Sequence, residues 1–152
     1  MALDETDRRI LRVLQRKGRI SNAELAEAVH LSASACHRRV QRLEADGYIR
    51  EYVAHLNARK QGMPTTVFVE IKLNGQADEI LEAFEVAVAR VPDVLECHLM
   101  AGTADYILKV VAEDTEDFAR IHRQYLTRLP GVAQMQSSFA LRTVFKTTAL
   151  PV

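Results

Sequence analysis

Apolar residues in the first fifty positions recur with the period of a helix. In the second half they switch to the alternation of strands. Between about Asp4 and Lys17, Ile10, Leu11, Val13 and Leu14 share one apolar face, with Arg8, Arg12 and Arg16 outside it, and Gly18 ends the run. From Ser21 to Gly47 the chain reads SNAELAEAVHLSASACHRRVQRLEADG, which predicts two shorter helices. Ser21 and Glu24 have the spacing of a capping box, and Leu25, Ala28 and Val29 follow on one face. Leu31 ends that helix, Ser32 caps the next, and Cys36, Val40 and Leu43 lie on its inward stripe. Gly47 suits the position just past a helix end. Residues 48–53 (YIREYV) are aromatic and β-branched, as an extended segment, strand or wing requires.

Residues 57–64 (NARKQGMP) are polar and carry Gly and Pro, which marks a boundary. Beyond it Val67, Val69, Ile71 and Leu73 alternate as a strand with one buried face, and Asn74-Gly75 breaks it. Residues 77–91 return to the helical period with Ile80, Phe84, Ala87, Val88 and Val91. Pro92-Asp93 turns the chain. Leu95, Cys97 and Leu99 alternate again, Gly102 interrupts, and residues 106–112 form a third strand. Asp114 caps a helix reaching about Leu129, Pro130-Gly131 stops it, and residues 135–145 make a last strand. The order β-α-β-β-α-β is that of ferredoxin-like folds. The expected class is therefore α+β: a three-helix, winged helix-turn-helix domain over residues 1–53, a linker over 54–64 and a ferredoxin-like domain over 65–152. Such a sheet carries helices on one face, and the out-of-phase Phe68, Ile107 and Val111 imply that a second subunit covers the other.

The helix pair has a chemistry as well as a shape. At about 100° per residue, Ser34, Arg38, Gln41 and Ala45 form the outward face of the second helix, flanked by His37 and Arg42. A helix fits the major groove of DNA, where Arg and Gln make paired hydrogen bonds to base edges. A solvated basic surface has the same composition, and helix-turn-helix patterns are degenerate. Charge distribution favours the nucleic-acid reading. The whole chain is neutral, but residues 1–62 hold twelve Lys and Arg against eight Asp and Glu, a balance of +4, and residues 63–152 hold eight against twelve, a balance of −4.

With 48% hydrophobic and 26% charged residues the composition is that of a soluble globular protein. No apolar run spans a membrane and the N-terminus has no apolar signal region, so a cytoplasmic protein with no membrane partner is expected. Two cysteines, Cys36 and Cys97, do not make a disulfide framework. A Cys-His neighbour pair lacks the further ligands that zinc needs, and no metal is expected. Cys97 and His98 point to opposite sides of a strand, which removes them as a nucleophile pair, and no phosphate loop or nucleophile elbow is present. The chain offers no acid–base or nucleophilic constellation, so an enzyme is not expected.

The motifs LDETDRRIL, GRISNAELAEAV, LSASACHRRVQRLEADGYI, VLECHLMAGTADYILKV and LPGVAQMQSSFALRTV follow one another over nearly the whole chain. In this they resemble the leucine-responsive/asparagine-responsive (Lrp/AsnC) family of transcription regulators. The family often has proline in the helix-turn-helix corner, where this chain has Ser-Ala-Ser-Ala-Cys. The resemblance implies a regulator of double-stranded DNA that assembles as dimers and rings of dimers, such as an octamer. It also implies an amino-acid effector, or a related small molecule, and no other cofactor. On this reading Ser32, Ser34, His37, Arg38, Gln41 and Arg42 face DNA, and Arg8, Arg12 and Arg50 meet phosphates. The effector loop is Gly102, Thr103, Ala104, Asp105 and Tyr106, completed across an interface by Gln136, Ser137 and Ser138. Gly102 allows close backbone approach, N–H groups hold a carboxylate, and Asp105 pairs with an ammonium. Without the resemblance the same loop reads as a hairpin turn. An architectural protein that wraps DNA with weak sequence preference is the alternative.

Overall fold

The computed structural model describes residues 2–152. The chain forms two compact units, one comprising the chain up to His55 together with Phe145–Val152, the other Leu56–Val144. Among the described residues no helix is long and apolar enough to cross a membrane.

The first unit is built from α1 (Glu5–Leu14), α2 (Asn22–Ala28) and α3 (Ala33–Ala45). Each has a side-chain N-cap. Asp4 caps α1 in a box with Asp7, Ser21 caps α2 in a box with Glu24, and the Ser32 hydroxyl accepts from the Ala35 N–H at 3.2 Å. Ile10, Leu14, Leu25, Ala26, Val29, Cys36 and Leu43 make the core. The corner between α2 and α3 turns at His30, whose φ of 58° is unusual for a residue with a Cβ. The Asn22 amide donates to the Ala33 carbonyl at 2.9 Å and ties the two helices across that corner. Helix α1 ends three residues before the expected Lys17, where Arg16 and Lys17 both turn back to the Val13 carbonyl.

Residues 48–53 form no strand: the chain bends at Tyr48 and Ile49 and then runs without regular structure. Ile49 packs on the helical core and Tyr52 donates to Glu44 at 2.9 Å, so this segment is held by side chains rather than by a wing ladder. Phe145–Val152, at the end of the expected sheet domain, packs with the helical unit. Its backbone lies on α1. Leu150 exchanges a pair of hydrogen bonds with the Gln15 side chain at 2.8 and 2.9 Å, and Arg12 Nε donates to the Val152 oxygen at 2.6 Å.

The second unit has β1 (Thr65–Leu73), α4 (Asp78–Val88), β2 (Val94–Leu99), β3 (Tyr106–Ala112), α5 (Thr115–Gln124), a 3₁₀ turn (Leu126–Arg128) and β4 (Val132–Phe139). The sheet order is β2-β3-β1-β4 with all neighbours antiparallel, the ferredoxin-like arrangement. Val67, Val69, Ile71 and Leu73 of β1 and Tyr106, Leu108, Val110 and Ala112 of β3 share the face that packs on Phe84 and Val88 of α4 and Phe118 and Ile121 of α5. Strand β4 starts and ends earlier than its pattern predicts, because Gly131 at φ 73° already reverses the chain and pairing with β1 stops at Phe139. The other sheet face has no helix. It carries Phe68, Ile107 and Val111, with Phe68 39% exposed. His98 stands opposite Ile107 on this face and bonds Glu96 at 3.1 Å.

Candidate DNA face and effector cleft

Helix α3 presents two stripes with different fates. Ser34, His37, Arg38 and Gln41 are exposed, at the i, i+3, i+4, i+7 spacing of one helix face. Among the described residues His37, Arg38 and Gln41 have no hydrogen-bond or ion-pair partner, and Ser34 meets only the Ser32 hydroxyl at 3.4 Å. Free donors on a convex helix are what base edges require. Ser32 itself is spent on capping.

Arg42, expected beside that face, is turned away from it. Its Nη2 donates to Asp7 Oδ1 at 2.6 Å, and Arg39 Nη1 donates to the same oxygen at 2.8 Å and to Asp4 Oδ2 at 2.6 Å. The Asp7 side chain is 2% exposed. Arg39 beside it pulls the Asp4 carboxyl down to about 2. Arg12, expected as a phosphate contact, is likewise engaged, by Glu5 at 2.8 Å and by the Val152 oxygen. Arg50 is 89% exposed and leans on Glu51 at 3.0 Å, and Arg8 is half-buried.

In the second unit the loop 102–105 and strand β4 do come together. Thr103 and Ala104 form one wall of a cleft of about 220 Å³, and its floor is Glu70, Ile71 and Lys72 of β1 with Gln134 and Gln136 of β4. The register explains this set, since Glu70 pairs with Gln136 and Lys72 with Gln134. Lys72 Nζ reaches the Thr103 carbonyl at 3.1 Å, so the lysine already closes on the loop. Ser138 lies further along the same face, opposite Phe68. Gly102 is open, with nothing within 4 Å of where a Cβ would stand.

Two expected members of that site serve the scaffold instead. Asp105 is 6% exposed, and its oxygens accept from the Leu73 N–H at 2.8 Å and the Gln76 amide at 2.9 Å. These bonds, the Leu73 N–H foremost, lower its pKa. Its own N–H donates to the Ile71 carbonyl, so the residue braces the loop against β1. Tyr106 points to the other side of the sheet. Its ring lies 4.6 Å from that of Phe84 and its hydroxyl donates to Glu85, and burial followed by that carboxylate raises its pKa.

Comparison with known proteins shows the family. Residues 3–50 match the winged helix-turn-helix DNA-binding family, and residues 66–150 match the Lrp/AsnC ligand-binding domain. The chain belongs to the Lrp/AsnC family. It is 40% identical over 150 residues to the leucine-responsive regulatory protein of Escherichia coli, covering 99% of this chain and 92% of that one. A transcriptional regulator of Neisseria meningitidis, solved as a complex with L-Met, superimposes with a TM-score of 0.94 at 37% identity, over 99% of this chain and 97% of that one. An AsnC-family regulator of Agrobacterium tumefaciens gives 0.94 at 36% identity, over 98% and 97%. This Lrp/AsnC protein is thus a DNA-binding transcription regulator with a ligand-binding domain, and not an enzyme.

Three cleft residues, Glu70, Lys72 and Gln134, escape a reading of the sequence. Alternation along β1 marks Glu70 and Lys72 as outward, but only the pairing with β4 shows what they face. Asp7 escapes too, because it reads as an ordinary acid of a first helical turn, and Arg39 and Arg42 lie 32 and 35 residues away.

Proposed function

We propose that this regulator reads base edges with Ser34, His37, Arg38 and Gln41 of α3, with Arg50 and Arg8 as backbone contacts. We further propose that it responds to an α-amino acid held in the cleft between β1, β4 and the 103–104 loop. The observation that carries the effector reading is the pairing of opposite charges in one small cleft. Glu70 and Lys72 are two residues apart on one strand face, about 7 Å along β1, and suit an ammonium and a carboxylate. The Gln134 and Gln136 amides and the loop backbone supply neutral partners. The cleft volume is below the roughly 300–1,000 Å³ of drug-sized sites, which fits one amino acid.

The cleft opens on the sheet face that has no helix. A second copy covering Phe68, Ile107 and Val111 would bring Ser138 and the cleft to a subunit boundary, where a ligand biases one arrangement over another. On this reading the protein is a dimer or a ring of dimers, its one small-molecule partner is the effector, and it acts in the cytoplasm with the chromosome.

The test is thermal denaturation with each of the twenty amino acids. A ligand that binds the folded state alone stabilises it by about 2.7 kcal/mol at one hundred times its Kd. One or more amino acids should raise the melting temperature, while the N-acetyl and amide derivatives of the same compound should not. Equal shifts from the derivatives would remove Glu70 and Lys72 as the recognising pair.

A further inference from the structure

Helix α3 carries three arginines, and the structure treats them unequally. Arg38 is free, whereas Arg39 and Arg42 share Asp7 Oδ1 at 2.8 and 2.6 Å, and Arg39 also takes Asp4 Oδ2 at 2.6 Å. Four residues on from Arg38 is about 40° further round the helix. Arg42 therefore leaves α3 on the flank of the DNA-facing stripe, within reach of a groove wall if it were not held. We propose that Asp7, with Asp4, withholds Arg39 and Arg42 from the DNA backbone, so that α3 meets DNA with one free arginine and selects by sequence rather than by charge. This rests on the assignment of α3 as the DNA-reading helix.

An arginine that contacts a phosphate does not distinguish one DNA sequence from another. Each such contact adds affinity for every sequence alike and steepens the salt dependence by about 0.9 in log Kd per log salt. A regulator must find its site among a large excess of non-specific DNA, so the ratio of the two affinities is what matters. An added phosphate contact strengthens both and gives non-specific DNA a larger share. Holding the guanidinium groups on a buried carboxylate avoids this. Fixing α1 against α3 does not by itself call for this arrangement. The capping box needs only the Asp7 oxygen that accepts from the Asp4 N–H, which a neutral side chain would supply without burying a charge.

The experiment measures the affinity of the full-length protein for a labelled duplex of random sequence as a function of salt. Arg42→Gln should leave that affinity and its salt slope unchanged, because the residue is already off the DNA. Asp7→Asn keeps the side-chain volume and removes the charge. It should bind random DNA more tightly, with a slope steeper by about 0.9 per bound helix-turn-helix unit from the freed Arg42, while Arg39 keeps its bond to Asp4. The double variant Asp7→Asn with Arg42→Gln should lose that gain, since Arg39 is still held by Asp4. A merely structural role predicts no gain of non-specific binding from Asp7→Asn. A slope that falls by about 0.9 in Arg42→Gln, or a folded Asp7→Asn with an unchanged slope, overturns the proposal. If circular dichroism shows Asp7→Asn unfolded, Asp7→Ser, neutral and still able to accept from the Asp4 N–H, is read in the same salt series: a steeper slope supports the proposal and an unchanged slope overturns it. The control is Arg38→Gln on an operator. If it too changes nothing, the assignment of α3 has failed rather than the withholding of its neighbours.

Discussion

The helical unit closes its core with seven buried apolar residues and the sheet unit with fifteen. The smaller core is supplemented by polar devices: two capping boxes, a serine cap and a carboxylate buried between two arginines. In the sheet unit Asp105 braces one loop, Lys72 closes on it and Asp114 caps α5. The two units are therefore sensitive at different places. Charge substitutions reach the core of the DNA-binding unit at Asp7, while in the sheet unit they reach the loop that Asp105 braces and leave the larger apolar core intact.

The comparison breaks most visibly at Phe84, fully buried under the sheet and stacked on Tyr106. Phe84→Ala should destabilise the sheet unit by about 3–5 kcal/mol. Amide exchange read unit by unit should show the loss over 56–144 and little over α1–α3. A uniform loss would mean that the two units unfold as one.

Next in size is the ion network. Removing both Arg39 and Arg42 leaves Asp7 buried without a charged partner, and breaking such a pair costs about 3 kcal/mol or somewhat more. The pair are 28% and 35% exposed, so solvent reduces the figure toward its lower end. Denaturant unfolding of the double alanine variant should show this loss in the helical unit. No loss would mean that the apolar core alone holds it.

The smallest effect is on acid stability. Asp4 has a folded value of about 2 against an ordinary 3.8, so the folded state binds its proton less readily. Its contribution is present above about pH 4 and is lost as pH falls toward 2. Glu5 and Glu24 are lowered in the same sense by Arg12 and by the Ser21 N–H. The melting temperature should hold down to about pH 4 and then decline, and Asp4→Asn, which keeps a capping oxygen, should flatten that decline.

What was legible in the chain follows from the same physics. Ser21 with Glu24, and Ser32 before a helical run, announce caps through local spacing, and both are found. Strand β3 has the limits that its alternation predicts. Charge pairing across the fold is not local. Nothing within a few residues of Asp7 says that two arginines of α3 turn toward it. Likewise nothing in the motif Gly-Thr-Ala-Asp-Tyr says that its one charge is spent on the Leu73 N–H and the Gln76 amide. The pair that faces the cleft lies on β1, some thirty residues earlier. The tail 145–152 carries no periodic signal at all, and its place on α1 depends on backbone bonds to Arg12 and Gln15.

The central claim is that a cleft charged by Glu70 and Lys72 governs what α3 does on DNA. It is tested most directly by operator affinity with and without the amino acid found by thermal denaturation, in the unmodified protein and in Lys72→Gln. The unmodified protein should shift its operator affinity several-fold, in keeping with couplings of about 1–3 kcal/mol. Lys72→Gln should bind the operator equally well without effector and show no shift. Equal shifts in both proteins would place the effector elsewhere and contradict the account.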